Sequence, residues 1–147
     1  AIIDYAHTPD ALKKVLNTIK DIRSGNEELI TVVGCGGDRD TAKRPLMTRI
    51  AANLSDRVIV TSDNPRSENP EKILEDISKG ISDEKQANSL SISNRKEAIK
   101  TACSMARSGD IVLIAGKGHE KYQIIGDETF HFDDMETTIE ILNQMNK

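Results

Sequence analysis

Apolar positions along the chain follow two rhythms that take turns. Leu12, Val15, Leu16, Ile19 and Ile22 fall three or four apart, the spacing that lines one face of a helix. Thr8-Pro9-Asp10 precedes them with an N-cap, a first-turn proline and an early acid, and Gly25 closes the run. Leu29 to Val33 is a short, nearly unbroken apolar run, as a buried strand shows. The helical rhythm returns from Pro45, predicting a helix with Leu46, Met47, Ile50, Ala51 and Leu54 inward. Val58 to Val60 reads as a strand, and Asn69-Pro70-Glu71 opens a helix with Ile73, Leu74 and Ile77 inward that ends near Gly80. Ser89 to Ile92 is a weaker strand. Asn94 with Glu97 resembles a capping box, and Ile99, Ala102, Cys103 and Ala106 form the inner face of the helix behind it. Ile111 to Ala115 is a further strand. Tyr122 to Ile125 and Thr129 to Phe132 read as a hairpin around Gly126-Asp127. Asp133 and Asp134 lead into a last helix carrying Met135, Ile139 and Leu142, and Ala1 to Ile3 reads as a strand cut short at the chain's start.

Strands alternating with helices predict an α/β fold: a mostly parallel sheet of about six strands, helices on both faces and an antiparallel edge from the hairpin. With 147 residues and no linker or repeat, one domain over 1–147 is expected. Composition narrows the function classes. No Trp and only two Tyr and two Phe leave no stacking platform for single-stranded nucleic acid, and a net charge of −4 without a basic cluster argues against nucleic-acid binding. No apolar run approaches the ~20 residues of a membrane span. Cys35 and Cys103 lack metal-type spacing and read as reduced thiols in a cytoplasmic protein.

The unusual residues sit in turns that follow strands. These are Asp4-Tyr5-Ala6-His7-Thr8-Pro9, Gly34-Cys35-Gly36-Gly37-Asp38-Arg39-Asp40 with Lys43-Arg44-Pro45, Asp63-Asn64-Pro65-Arg66, and Gly116-Lys117-Gly118-His119-Glu120. In a parallel sheet all four leave at the carboxyl edge, where open α/β sheets bind ligands. Each alone has a plainer reading: a flexible turn, a solvated charge run, an Asn-Pro turn. The glycines match neither a phosphate-binding P-loop nor a Gly-x-Gly-x-x-Gly dinucleotide fingerprint. His7, His119 and His131 show no metal spacing. The residue types suit a small zwitterion: Arg39 and Arg66 for carboxylates, Asn64 for either hydrogen-bonding role, Glu120 for an ammonium. No nucleophile–base pair is evident, so the loops read as the binding half of a site whose reacting machinery lies elsewhere.

In these four loops, in this order, the chain resembles the C-terminal domain of the Mur ligases of peptidoglycan synthesis, nearest the type that adds 2,6-diaminopimelate. The resemblance implies a Rossmann-like domain taken from a three-domain, monomeric, cytoplasmic enzyme. Its partners would be meso-diaminopimelate, UDP-N-acetylmuramoyl-dipeptide and ATP. ATP and Mg²⁺ would be held mainly by an absent central domain, which activates a peptide carboxylate for attack by the amino acid's amine. The resemblance assigns Arg39, Asp63, Asn64, Pro65, Arg66, Gly116 and Glu120 to diaminopimelate and places Asp4, Tyr5 and His7 toward the nucleotide. It leaves this chain no catalytic residue and no metal ligand of its own. The same ligase type adding L-lysine, or a non-catalytic small-ligand binding module, are the alternatives. The start inside a strand favours a cut fragment over a free-standing module.

Overall fold

A computed structural model describes all residues, 1–147. Seven strands and five helices run β1 (Ile2–Asp4), α1 (Pro9–Ile22), β2 (Leu29–Cys35), α2 (Lys43–Leu54), β3 (Arg57–Ser62), α3 (Pro70–Ser78), β4 (Ser89–Ser91), α4 (Arg95–Met105), β5 (Ile111–Ala115), β6 (Tyr122–Ile125), β7 (Glu128–His131) and α5 (Asp134–Gln144). A short 3₁₀ turn, Asp83–Asn88, leads into β4. Strands β1 to β5 form one parallel sheet in the order β1-β5-β2-β3-β4.

The strand order and right-handed crossovers together fix which face each helix covers. The chain steps from β1 through β2 and β3 to β4 in one direction, so right-handed connections lay α1, α2 and α3 on one face. It then reverses to insert β5 between β1 and β2, which sends α4 across the opposite face. Two aliphatic cores result. Leu12, Leu16, Met47, Ala51, Ile73 and Ile77 pack on Leu29, Val33, Val58 and Val60 on the first face. Ala98, Ile99, Ala102, Cys103 and Ile141 pack on Ile30, Val32, Ile59 and Ile114 on the second. Neighbouring residues of β2 enter opposite cores, which is why its apolar run is continuous rather than alternating.

Local signals start four of the helices where the sequence expects. Thr8, Asn69 and Asn94 each cap a helix through a side-chain oxygen, and Asp133 does the same for α5. Three expectations change. The parallel sheet has five strands, and β6–β7 makes a separate two-stranded sheet instead of an antiparallel edge to it. A bridge between Arg66 and Ile125 is one of its links to the rest. Helix α2 begins at Lys43, two residues before Pro45, and Leu46 faces solvent because Arg44, Met47, Thr48, Ala51 and Ala52 hold the inward stripe. In α5 the inward positions are Asp134, Thr137, Thr138 and Ile141, so Met135 and Ile139 point outward. Both phase errors have one cause: a buried charged residue occupies a position that an apolar count treats as surface.

Candidate functional site

A cavity of about 340 Å³ opens at the carboxyl edge of the sheet. All four unusual loops line it: Tyr5 and His7 after β1, Gly34 to Gly36 with Arg39 after β2, Asp63, Asn64 and Arg66 after β3, and Gly116 and Glu120 after β5. The insertion of β5 between β1 and β2 puts the last loop among the others.

The loops after β2 and β3 are zipped together. Gly37 N–H donates to the Asn64 carbonyl at 2.7 Å. Arg66 Nη1 donates to the carbonyls of Gly37 at 3.0 Å and Asn64 at 3.3 Å. A Cβ at position 37 would overlap the Pro65 carbonyl, so only glycine permits this approach. Asp38 and Arg66 both hold left-handed backbone, φ 54° and 52°, which costs on the order of 1 kcal/mol or more each and persists only where neighbours over-determine it. Asp38 accepts the Ser67 hydroxyl at 2.6 Å and the Ser67 N–H at 3.2 Å. Those bonds, with the charges of Arg66 and Arg39, hold its carboxyl below the ordinary value of 3.8. Beneath the zipper, buried Arg44 reaches Glu68 at 2.6 Å, Asp76 at 3.0 Å and the Gly36 carbonyl at 3.2 Å, and its Nε alone finds no partner.

The loop after β5 is fastened from inside. Lys117 is fully buried. Its Nζ donates to the Tyr122 carbonyl at 2.7 Å and to Asn64 Oδ1 at 3.3 Å. It also lies 2.9 Å from Asp63 Oδ1, an ion pair off the hydrogen-bonding angle, so that oxygen counts as unbonded. Asn64 Oδ1 accepts the Ile124 N–H as well, at 2.9 Å. Gln123 donates to the Asp63 carbonyl, and the Arg66 backbone exchanges bonds with Ile124 and Gly126. The hairpin is thus a clasp over the 63–66 turn. Under the sheet edge, Arg95 and Asp134, both without exposed side-chain surface, meet in a bidentate pair at 2.8 and 2.7 Å. Arg95 also reaches the carbonyls of Ser62 and Ala115, at the ends of β3 and β5. Burial pulls the Arg95 value down, but the paired carboxylate outweighs it and the net direction is upward.

The residues expected from sequence do not all stand alike. Arg39, Arg66, Gly116 and Glu120 line the cavity, and Gly116 takes φ 112°, open to glycine alone. Asp63 and Asn64 line it too, but Asp63 Oδ1 is turned to Lys117 and Asn64 Oδ1 to Lys117 and the Ile124 N–H. Pro65 lies behind the cavity, against Gly37. Tyr5 and His7 stand at the rim with ring centroids 4.7 Å apart, and His119 lies 5.5 Å from Tyr5. Asp4 is not brought to the cavity; its carboxylate accepts the Ala6 N–H at 2.8 Å and shapes the turn. Cys35 is part of the lining, yet burial pushes its thiol up to about 12. No group of three or more His, Cys, Asp or Glu side chains converges as a metal site. Sequence reasoning missed Lys117, Arg44 and the Arg95–Asp134 pair. Arg44 carried one usable signal, an inward helical phase.

The four loops that carry the resemblance line one cavity at the carboxyl edge of the sheet. A family model described as "Mur ligase, glutamate ligase domain" matches residues 1–118. The chain belongs to this family. It is 56% identical over 143 residues to the UDP-N-acetylmuramoyl-L-alanyl-D-glutamate–2,6-diaminopimelate ligase of Bacteroides thetaiotaomicron, covering 97% of this chain and 30% of that protein. The corresponding ligase 1 of Clostridium acetobutylicum is 53% identical over 144 residues, with coverage of 98% and 29%. A solved structure of a UDP-N-acetylmuramoyl-L-alanyl-D-glutamate–2,6-diaminopimelate ligase superposes with a TM-score of 0.90 at 48% identity, over 99% of this chain and 29% of that one. Folylpolyglutamate synthase of Mycobacterium tuberculosis, at 20% identity and a TM-score of 0.58, shares the fold. The chain therefore spans about 30% of the length of the curated relatives it matches.

Proposed function

We propose that this chain is the amino-acid-binding domain, 1–147, of an ATP-dependent ligase that adds meso-diaminopimelate to UDP-N-acetylmuramoyl-L-alanyl-D-glutamate. One observation carries the reading: the guanidiniums of Arg39 and Arg66 and the carboxylate of Glu120 are among the charged groups that border a single 340 Å³ cavity built by four loops. Diaminopimelate is a zwitterion at both ends. Arg39 and Arg66 take its carboxylates, Glu120 takes an ammonium, and Gly116 lets backbone approach the ligand. Asp63, Asn64 and Pro65 serve by fixing the turn that presents Arg66. Together these groups orient the attacking amine and shield it from water.

Tyr5 and His7 at the rim face the nucleotide, with Asp4 holding their turn. The residues present do not fit a metal ion by themselves, since no three candidate ligands converge. Mg²⁺ and most contacts to ATP and to the UDP-linked dipeptide therefore belong to the remainder of the protein, as does activation of the dipeptide carboxylate. The enzyme works in the cytoplasm as a monomer; both cysteines are free thiols, and no helix is long and apolar enough to cross a membrane. The test is amino-acid-dependent phosphate release by the full-length ligase with meso-diaminopimelate, L-lysine or neither. Release with diaminopimelate well above lysine supports the reading. Preference for lysine, or release independent of any amino acid, overturns it.

A further inference from the structure

We infer that Lys117 is a positioning residue for amino-acid recognition, a step that rests on the proposed function and deepens it. Its side chain takes no part in lining the cavity, and it is completely buried. An ammonium in that position is expensive to desolvate, and an apolar side chain of equal volume would fill the space without that cost. What the ammonium does is geometric. Three oxygens from two segments of chain surround one Nζ: Asn64 Oδ1 at 3.3 Å and the Tyr122 carbonyl at 2.7 Å accept its hydrogen bonds, and Asp63 Oδ1 at 2.9 Å supplies the countercharge.

Those two segments are the turn that carries Arg66 and the hairpin that clasps it, while Lys117 itself sits three residues before Glu120. The contact therefore sets the distance between the guanidinium of Arg66 and the carboxylate of Glu120, the groups proposed to hold opposite charges of one ligand. Arg66 holds left-handed backbone, which reverts unless its neighbours oppose it. Lys117 opposes it from below through Asn64 and from the side through the hairpin. Loss of the ammonium frees the turn and widens the site, a change felt by the amino acid before the other substrates.

The experiment compares wild-type full-length ligase with Lys117→Met and with the pair Lys117→Met/Asp63→Asn, measuring KM for each substrate, kcat and Tm. Lys117→Met alone leaves Asp63 without its countercharge and lowers Tm. The pair removes both charges, so it recovers part of the lost Tm and stays folded, the Tyr122 carbonyl still lacking its donor. The inference expects KM for the amino acid in the folded pair to stay raised about 10- to 100-fold above that of Asp63→Asn alone, measured beside it, the scale of a small misplacement in a preorganised site. KM for ATP and for the UDP-linked dipeptide should change less than about threefold, since neither leans on this turn. If the folded pair shows the amino-acid KM of Asp63→Asn alone, Lys117 is a structural countercharge only and the inference is overturned. If all KM values rise together, or the pair fails to fold, positioning of this turn is likewise refuted as its role. The comparison uses whichever amino acid the wild type accepts, so a wild type preferring lysine sinks the diaminopimelate reading and leaves this test intact.

Discussion

Removing the charge of Asp134 should destabilise this domain more than any surface change. Asp134→Asn keeps the shape of the side chain and one acceptor oxygen. It leaves the Arg95 guanidinium, with no exposed surface, facing an amide where a carboxylate had accepted bonds of 2.8 and 2.7 Å. Water cannot reach the site to compensate. Breaking one partner of such a pair costs about 3–5 kcal/mol. For a domain of this size each 1 kcal/mol moves Tm by roughly 2–4 °C, so a loss near 10 °C is expected. Arg95→Met/Asp134→Leu should recover only part, because the Ala115 and Ser62 carbonyls lose the donor that Arg95 supplies. The assay is urea and thermal unfolding of the 147-residue chain by circular dichroism. An Asp134→Asn variant within about 1 kcal/mol of wild type would refute the reasoning, since it would mean the pair is solvated or mispaired.

Gly37→Ala should lower Tm and raise the amino-acid KM of the full-length enzyme together, because the new methyl must push Pro65, and Arg66 with it, away from the cavity; a silent variant in steady-state kinetics and melting would contradict the zipper. Native protein should show no fast-reacting thiol with a disulfide reagent near pH 8, although Cys35 lines the cavity, because its thiol is held near 12 and Cys103 is also pushed up by burial; both thiols should react after denaturation. Acid should destabilise the domain through Asp110, which accepts the N–H groups of Arg107 and Glu28 at 2.8 Å and titrates below its ordinary 3.8. A depressed folded value means that stability is complete above the unfolded value and is lost as pH falls through the folded one, so Asp110→Asn should flatten the dependence of Tm on pH below about 4.

What the sequence made legible is what short-range chemistry encodes. Thr8, Asn69 and Asn94 announce their helices because each side chain bonds a backbone N–H two or three residues on. The four loops were legible as a set because a parallel sheet sends every strand's carboxyl end to one edge. The strand order was not, since nothing local tells β5 to enter between β1 and β2. The burial of Arg44, Arg95, Lys117 and Asp134 was illegible for a different reason. Charged residues are assigned to the surface unless a partner is known, and Arg95 and Asp134 lie 39 positions apart. The same blindness misplaced Leu46, Met135 and Ile139. Asn64 reads as ligand-facing from its turn, whereas in the fold its Oδ1 faces Lys117 and the hairpin.

Of the two guanidiniums proposed to take carboxylates, we assign Arg66 to the one that diaminopimelate carries and lysine lacks, and its loss tests the account most directly. Arg66→Ala removes a guanidinium from the cavity and also a tie to the Gly37 carbonyl. Loosening of the loop slows every amino acid alike, so the ratio of kcat/KM for meso-diaminopimelate to that for L-lysine isolates the carboxylate contact. A charge-assisted contact whose partner is left buried is worth about 2–5 kcal/mol, so the ratio in the full-length ligase should fall at least about thirtyfold. Arg66→Lys should restore only part of it, because an ammonium lacks the two parallel donors of the guanidinium. A ratio unchanged by Arg66→Ala, with both substrates slowed equally, would contradict the account.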